Sequence, residues 1–318
     1  MYRIVIDRHI PFLEGVFDSF AETVRLEPEE ITAAAVRDAD VLIVRTRTRC
    51  DASLLEGSRV RLIATATIGY DHIDTDYCRK HGIVWTACPG CNAQAVCDYV
   101  EEALRYCEDV TGRRLHSIGI VGVGHVGGKV EQMALHRGMK VLTNDPLRTD
   151  NGFLHSSLEA IAECDVVTFH TPLTRNGAYP TYKLCDASFL SRCGKRTLII
   201  NAARGGIVDE EALLESGRPC VIDCWENEPD IRTRLLYSEN TLLASYHIAG
   251  YSVQGKRNAS MMCAEAVFRW AGIEGKPQLN NDCTPAGDSS QGWIKRVTDK
   301  LRANPAGFEL LRKEYVLR

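Results

Sequence analysis

The sequence lacks the features of a membrane-bound or exported protein. No run approaches the roughly 18 consecutive apolar residues that a transmembrane helix needs. The N-terminal stretch M-Y-R-I-V-I-D has no basic segment followed by an apolar one, so it does not resemble a secretory signal. The chain also has no internal repeat and no low-complexity tract. We therefore expect a cytoplasmic globular protein with no membrane partner.

An excess of basic charge is absent too. The chain carries 38 Lys and Arg against 42 Asp and Glu, a formal net charge of −4, so we expect no nucleic-acid partner. Its 13 cysteines are an odd number, and without an export signal they predict reduced thiols. The motif C-P-G-C at Cys88–Cys91 has no thioredoxin-like surroundings. We interpret it as a turn, with Asn92 as the candidate N-cap of a helix.

The arrangement of apolar segments predicts an α/β fold. A length of 318 residues suggests about two domains, and short apolar segments alternate with polar, helix-compatible ones. Six of these segments follow residue 116, which matches the strand count of a doubly wound dinucleotide-binding domain. Helices are expected over 92–110 and 253–271, and an irregular linker over 274–291. The strand-like segments are Arg3–Asp7, Val41–Thr46, Arg61–Ala66, Val84–Ala87, Ser117–Val121, Lys140–Thr143, Asp165–Phe169, Thr197–Ile200, Cys220–Ile222 and Thr241–Leu243.

A glycine motif, G-V-G-H-V-G, follows the apolar run S-I-G-I-V. The first glycine permits a tight turn, the second lets the backbone approach a pyrophosphate, and the third lets helix and strand pack closely. Asp145 stands roughly 20 residues further on, where it would accept hydrogen bonds from ribose hydroxyls and repel a 2′-phosphate. The motif therefore predicts NAD rather than NADP as the cofactor. The candidate NAD contacts of the loop are Gly122, Gly124, His125, Val126 and Gly127.

Three polar residues follow the last three predicted strands: Arg204 in N-A-A-R-G-G, Glu228 in W-E-N-E-P and His247 in S-Y-H-I-A-G-Y. The carboxyl ends of parallel strands share one crevice, so topology brings these residues together. Histidine suits removal of a hydroxyl proton, a carboxylate fixes its tautomer, and arginine binds a carboxylate with two hydrogen bonds. The set predicts hydride transfer from a secondary alcohol. Singly, each residue has a structural alternative: a surface charge, a loop acid and a packed histidine.

The first domain carries candidate anion-binding residues. Arg45, Arg47 and Arg49 alternate in V-R-T-R-T-R, and they point to one side if the strand continues. Such a row suits a phosphate, although a solvated edge remains an alternative. The loop Ala66–Tyr70 contains Gly69, and its backbone N–H groups would suit a substrate carboxylate. The sequence predicts no metal site.

Together these motifs resemble the D-isomer-specific 2-hydroxyacid dehydrogenases, in that family's order and over nearly the whole chain. The resemblance implies a flavodoxin-like substrate-binding domain and a Rossmann NAD-binding domain, both doubly wound. It implies Arg204 and Glu228 as catalytic partners and His247 as the proton donor or acceptor. The stretches T-A-T-I-G-Y-D-H-I-D, C-P-G-C-N-A and W-E-N-E-P-D are similar to those of members that oxidise 4-phospho-D-erythronate to 2-oxo-3-hydroxy-4-phosphobutanoate in vitamin B6 biosynthesis. That similarity also implies a homodimer.

The same resemblance implies individual contacts and domain bounds. Thr46, Thr67 and Tyr251 would contact the substrate. The implied NAD contacts outside the glycine loop are Asp145, Thr171, Ala202, Ala203, Arg204, Asp223 and Gly250. The expected domains are 1–91 with 263–275 for substrate, 92–262 for NAD, and a C-terminal segment, 276–318, which resembles a shortened dimerisation region.

Two alternatives stay open. One is another substrate of the same family, of the phosphoglycerate or the glyoxylate and hydroxypyruvate type. The other is a non-catalytic NAD-sensing interaction protein on the same scaffold, against which the joint presence of Arg204, Glu228 and His247 argues.

Overall fold

The computed structural model describes residues 1–150, 152–280 and 287–318. The chain forms two compact units, Met1–Asn92 with Ser252–Pro285 and Ala93–Tyr251 with Ala286–Arg318. These bounds differ from the expected domains in two respects. The helix that starts at Val253 lies wholly in the first unit, and the C-terminal residues belong to the second unit instead of forming a separate segment.

The first unit contains a parallel sheet whose described strands have the order β2-β1-β3-β4-β5. This is the flavodoxin-like order. Strand β2 was not predicted, because its short sequence A-E-T-V-R-L contains two charged residues without a continuous apolar run, and most of the strand is half-exposed at the sheet edge. The strands are β1 Tyr2–Asp7, β2 Ala21–Leu26, β3 Val41–Val44, β4 Leu62–Thr65 and β5 Val84–Thr86. The helices are α1 Ala33–Val36, α2 Ala52–Leu55, α3 Thr75–His81 and α10 Val253–Ala271, with a 3₁₀ turn at Pro28–Glu30.

The second unit contains a parallel sheet with the order β11-β10-β9-β8-β6-β7 in its described part. The strand order reverses between β6 and β8, so a ligand crevice is expected at the carboxyl ends of these two strands. The strands are β6 Ser117–Val121, β7 Lys140–Asn144, β8 Val166–Phe169, β9 Leu198–Asn201, β10 Cys220–Ile222 and β11 Thr241–Ala244. The helices are α4 Ala93–Thr111, α5 His125–His136, α6 Leu158–Ala162, α7 Ala187–Arg192, α8 Glu210–Ser216, α9 Thr233–Leu236, α11 Trp293–Ala303 and α12 Phe308–Lys313, with a 3₁₀ turn at Pro305–Gly307.

Central strands such as β3, β4, β8 and β9 are buried at every residue. This is the burial expected of parallel strands covered on both faces by helices, and it explains their unbroken apolar sequences. None of the described helices is both long and apolar enough to cross a membrane.

The cysteines of the described ranges are buried, unpaired thiols. Cys88 and Cys91 flank a turn, as predicted, and the Cys88 thiol hydrogen-bonds to the carbonyl of Ala259 at 3.3 Å. The predicted N-cap is wrong. Asn92 immediately precedes α4, but within the described chain its buried Oδ1 accepts no hydrogen bond.

Candidate active site

The glycine loop of the second unit is shaped by close backbone contacts. Gly122 follows β6 with φ +87°, and a Cβ there would lie 2.8 Å from the carbonyl oxygen of His170. A Cβ on Gly127 would lie 2.0 Å from the carbonyl oxygen of Gly122. Any side chain at either position would collide with backbone. The first glycine of the motif thus suits the predicted tight turn, and the third suits the predicted close packing of helix and strand.

The middle glycine leaves room for a ligand. Around Gly124 no described atom lies within 4 Å of where a Cβ would be. Gly124 is also the N-cap of α5, and no side chain caps this helix. The first N–H groups of α5, starting at His125 and Val126, therefore form a helix N-terminus that favours phosphate binding.

Asp145 and Thr171 lie on either side of this loop. Asp145 follows β7, and its Oδ2 accepts the Val123 N–H at 2.8 Å, so the acid is tied to the glycine loop. Thr171 follows β8 and contacts the Gly122 position. Its buried Oγ1 has no hydrogen-bond partner among the described residues. An unsatisfied hydroxyl at the reversal of strand order, beside an open helix N-terminus, fits a bound dinucleotide.

His247 and Glu228, the predicted catalytic histidine and its carboxylate partner, form a hydrogen-bonded pair. His247 Nδ1 and Glu228 Oε2 are 2.7 Å apart, and Glu228 Oε1 accepts the Trp225 N–H at 2.9 Å. Burial raises the pKa of Glu228, but the hydrogen bond and the charge of His247 outweigh it, and the net pKa is lowered. An ionised carboxylate only accepts hydrogen bonds, so Nδ1 is the donor and Nε2 is left for a substrate.

The backbone of His247 is held in an unfavourable conformation. Its φ of +59° lies in the left-handed region, which non-glycine residues seldom occupy. The buried carboxylate of Asp223 stabilises the loop by accepting hydrogen bonds from the N–H groups of Ile248 at 2.8 Å and Ala249 at 3.0 Å. It also accepts the hydroxyl of Ser245 at 2.6 Å. The carboxylate oxygens of Asp223 thus position the histidine loop. The NAD contact that the resemblance implies for Asp223 stays a prediction.

Arg204 lies on the loop after β9. Its Nη1 donates to the carbonyl of Ala203 at 2.7 Å, which holds the guanidinium close to its own loop. Asn201 was not singled out from the sequence, yet its Nδ2 donates to the carbonyls of Arg204 and Cys224, both at 3.0 Å. It therefore joins the loop of Arg204 to the stretch that leads to Glu228. The predicted contact Ala202 is buried at the start of this loop.

The predicted row of arginines in the first unit is wrong. Strand β3 ends at Val44, and a backbone hydrogen bond from Thr48 to Arg45 closes a turn, so the period-two argument does not apply. Arg45 Nε and Nη2 bind the two carboxylate oxygens of buried Asp7 at 2.8 and 3.0 Å, a structural role. Thr46 and Arg47 are exposed in the turn, and Arg49 pairs with Asp51 at 2.7 Å.

The loop after β4 is held by hydroxyl groups. Thr67 Oγ1 donates to the carbonyl of Gly69 at 2.8 Å and lies 2.6 Å from Oγ1 of Thr65. His72 Nε2 is 3.0 Å from the same Thr65 oxygen. Burial lowers the pKa of His72 and so favours its neutral ring. Thr67 and Gly69 thus share one hydrogen-bonded loop, and their contact with substrate stays a prediction.

Tyr251 ends the histidine loop, directly after Gly250. Its hydroxyl accepts a hydrogen bond from Arg312 Nε at 3.0 Å, and its ring packs edge-on against Tyr315, with centroids 6.2 Å apart. Neither of these C-terminal residues was predicted at the site. The sequence signal that covered them was the resemblance of residues 276–318 to a shortened dimerisation region.

Comparisons with known proteins agree with this geometry. Residues 99–249 match the family model for the NAD-binding domain of the D-isomer-specific 2-hydroxyacid dehydrogenases. The chain is 42% identical to the erythronate-4-phosphate dehydrogenase of Bacteroides fragilis, covering 99% of this chain and 96% of that protein. It is 44% identical to the enzyme of that name from Porphyromonas gingivalis, covering 98% and 92% of the two chains.

Solved structures give the same answer for the fold. The NAD⁺-bound 3-phosphoglycerate dehydrogenase of Entamoeba histolytica has a TM-score of 0.71 and 25% identity, over 88% of this chain and 99% of that one. An NADPH-dependent glyoxylate/hydroxypyruvate reductase of Sinorhizobium meliloti has a TM-score of 0.72 and 24% identity, over 89% and 98%.

The chain belongs to the family of the D-isomer-specific 2-hydroxyacid dehydrogenases, and it is an NAD-dependent oxidoreductase. Within that family it groups with the erythronate-4-phosphate dehydrogenases, with which it aligns over almost its full length.

Proposed function

We propose that the protein oxidises 4-phospho-D-erythronate to 2-oxo-3-hydroxy-4-phosphobutanoate. The observation that carries this proposal is the hydrogen-bonded pair of His247 and Glu228. The pair lies in the NAD-binding unit of a chain 42% identical to an erythronate-4-phosphate dehydrogenase. When bound, NAD supplies the acceptor for the hydride that leaves C2 with its electron pair.

The residues of the second unit divide the remaining chemistry. His247 Nε2 removes the proton of the C2 hydroxyl as the C2=O bond forms. Glu228 holds the ring in the required tautomer and stabilises the imidazolium, which its lowered pKa allows because the carboxylate stays ionised. Arg204 binds the substrate carboxylate through its planar guanidinium.

We assign cofactor contacts to the glycine loop and its neighbours in the second unit. The pyrophosphate would lie at the N-terminus of α5, the ribose at Asp145, and Thr171 would gain the hydrogen-bond partner that its buried hydroxyl lacks among the described residues. The remaining assigned contacts are Gly122, Gly124, His125, Val126, Gly127, Ala202, Ala203 and Gly250.

Substrate contacts are assigned in part to the first unit. We retain Thr46, Arg47, Thr67 and Gly69 there, and Tyr251 in the second unit. Arg45 contributes indirectly, because its ion pair with Asp7 orders the start of the turn that carries Thr46 and Arg47.

The proposal is tested with a panel of 2-hydroxy acids. NADH formation is followed by absorbance, and we expect the highest kcat/KM with 4-phospho-D-erythronate. A preference for 3-phosphoglycerate, glycerate or glycolate would contradict the assigned substrate. The assignment to the dehydrogenase family would still hold. NAD binding without turnover of any acid would instead support a sensing protein.

The family resemblance also supports a place in vitamin B6 synthesis, a cytoplasmic location and a homodimer, and we include these in the proposal. Light scattering of the purified protein tests the dimer. A monomer at micromolar concentration would contradict it.

A further inference from the structure

The C-terminal segment, residues 287–318, packs on the loop that carries the catalytic histidine. Phe308 is fully buried at the start of α12 and anchors this helix in the core of the second unit. Arg318 Nη2 donates to the carbonyls of Ala249 at 2.5 Å and Ala95 at 2.9 Å. The ring of Tyr315 lies edge-on against Tyr246, with centroids 6.2 Å apart. These contacts fix α12 relative to the histidine loop.

The fixed helix places one cation beside the catalytic pair. Arg312 is three-quarters buried, and its Nε donates to the hydroxyl of Tyr251 at 3.0 Å. Its charge acts on Glu228 and contributes to the lowered pKa of that carboxyl, after the larger effects of burial and of His247. Arg312 is therefore close enough to influence the groups that perform proton transfer.

Arg312 stays charged although it is largely buried: burial lowers its pKa, but Tyr251 and the carboxylates of Glu309 and Glu228 outweigh burial and raise it. The contacts are loose, because Glu309 is half-exposed and its Oε2 lies 3.6 Å from Arg312 Nη1. Removing a cation from water is costly unless a charged partner compensates. A guanidinium has five N–H donors in a planar fork, of which the phenol uses one. The remaining fork suits the oxygens of a phosphate.

We propose that Arg312 binds the phosphate group of the substrate and sets the preference for phosphorylated over unphosphorylated 2-hydroxy acids. This inference rests on the proposed function, in which Arg204 takes the carboxylate and His247 the adjacent hydroxyl. A phosphorylated hydroxy acid carries a second anion beyond C2, and Arg312 is the cation that the described second unit offers next to Tyr251. Tyr251 positions the guanidinium through its hydroxyl.

The test compares two substrates that differ only in the phosphate, 4-phospho-D-erythronate and D-erythronate, in Arg312→Met and Arg312→Lys. We expect Arg312→Met to lower kcat/KM for the phosphorylated acid by roughly 10- to 1,000-fold, the range of one or two lost charge-assisted hydrogen bonds. For D-erythronate the loss should be at least tenfold smaller than for the phosphorylated acid. Arg312→Lys, which keeps the charge, should retain an intermediate preference. Inorganic phosphate should inhibit the parent enzyme and inhibit Arg312→Met more weakly.

Lys313→Met is the matched control, because Lys313 is an exposed cation on the same helix. It should leave both substrates unaffected. An equal loss on both substrates in Arg312→Met would overturn the proposal and assign Arg312 to positioning Tyr251 or the catalytic pair. Unchanged kinetics on both would overturn it as well. If the parent enzyme itself prefers another acid, that result contradicts the proposed function. It is obtained without the Arg312 variants, so it is distinguishable from a failure of the Arg312 proposal. Arg312→Lys keeps the test valid if Arg312→Met does not fold.

Discussion

At the scale of single residues, His247 depends on partners that are distant in sequence. Glu228 holds its ring at 2.7 Å, and Asp223 holds its loop through two backbone N–H groups and the hydroxyl of Ser245. The hydroxyl oxygens of Tyr99 and Ser245 are 2.8 Å apart in the interior, which extends this network. Polar groups in such a buried network are costly to leave unpaired, so the loop has one well-defined conformation.

Replacing Glu228 with Gln tests the role of its charge. The amide can still accept the Trp225 N–H through Oε1 and fits the same space, but it no longer stabilises an imidazolium. We expect kcat to fall by roughly 10²-fold or more, with NADH affinity unchanged. Steady-state kinetics and fluorescence titration with NADH measure the two effects.

Glu226→Gln is the control for that variant, because Glu226 is a neighbouring acid whose carboxylate lies 3.9 Å from Arg232 and from Lys183. It should keep turnover within a few-fold of the parent. A Glu228→Gln enzyme with normal kcat would show that the carboxylate is not needed for proton transfer.

At the scale of elements, the site is assembled from loops after β9, β10 and β11. The loops of Arg204 and Glu228 touch through backbone: a Cβ on Gly205 would lie 1.7 Å from the carbonyl oxygen of Trp225. Asn201 bonds to both loops. Gly205 and Asn201 therefore help to set the spacing between the loops of Arg204 and Glu228, although neither residue is assigned a role in proton or hydride transfer.

Gly205→Ala should push these two loops apart. We expect a loss of about 1–3 kcal/mol in the free energy of unfolding, as for overpacked sites, together with a lower kcat. Gly128→Ala serves as the control for stability, since no described atom lies within 4 Å of the added Cβ and alanine favours a helix. Denaturant unfolding of both variants gives the comparison. Equal stability of Gly205→Ala and the parent would contradict the close contact.

The start of α8 carries a buried acid, Glu210, that responds to pH. Burial, together with the charges of Glu226 and Glu228, raises its pKa to about 7 from 4.5. Because the folded state prefers the protonated acid, Glu210 favours folding below pH 4.5, and this contribution is lost as the pH rises to 7.

Glu210→Gln should remove that pH dependence. Gln can still accept the N–H of Glu226, which Glu210 Oε1 accepts at 2.6 Å. The variant should match the parent near pH 4.5 and exceed its free energy of unfolding by up to about 3 kcal/mol at pH 8. Urea unfolding across this range measures the difference. Glu211→Gln, at a more exposed neighbour, should not reproduce it, and a constant difference between Glu210→Gln and the parent would refute the assignment.

At the scale of the whole molecule, the C-terminal segment is part of the core of the second unit. Trp293, Ile294, Leu301 and Phe308 are buried there. Thr298 Oγ1 accepts the N–H of Ala244 at the end of β11, at 2.9 Å. It also lies 2.9 Å from the carbonyl oxygen of Ala244, to which it can donate. A segment that resembled a separate dimerisation region is thus a structural element of the NAD-binding unit.

Leu301→Ala should destabilise that unit. The side chain is fully buried, so its truncation is expected to cost about 2–5 kcal/mol in the free energy of unfolding. The exposed neighbour Lys300 provides the control, and Lys300→Ala should change stability by no more than about 0.5 kcal/mol. The Tm is measured with and without NAD. Because NAD binds the second unit, a rise in Tm with NAD identifies the unfolding of that unit. A Leu301→Ala protein as stable as the parent would show that the segment packs only loosely.

Much of the fold follows from local patterns. The buried strands are continuous apolar runs, and the glycine motif lies between a strand and a helix, so each was predictable within a few residues. The edge strand Ala21–Leu26 was missed because its pattern resembles that of a solvated segment. The arginine row after Val44 was misplaced because periodicity cannot show where a strand stops.

The sequence by itself determined the α/β class and the use of NAD, because both depend on residue type and on order along the chain. It also predicted roles for Arg204, Glu228 and His247, and these roles stay predictions. Only the tertiary structure decided how the remaining polar residues are used. Asp223, Asn201 and Arg45 hydrogen-bond to groups far away in sequence. Arg312, which follows Tyr251 by 61 residues, donates to its hydroxyl. Hydrogen bonds between such distant groups are set by packing, which the local pattern of a sequence does not encode.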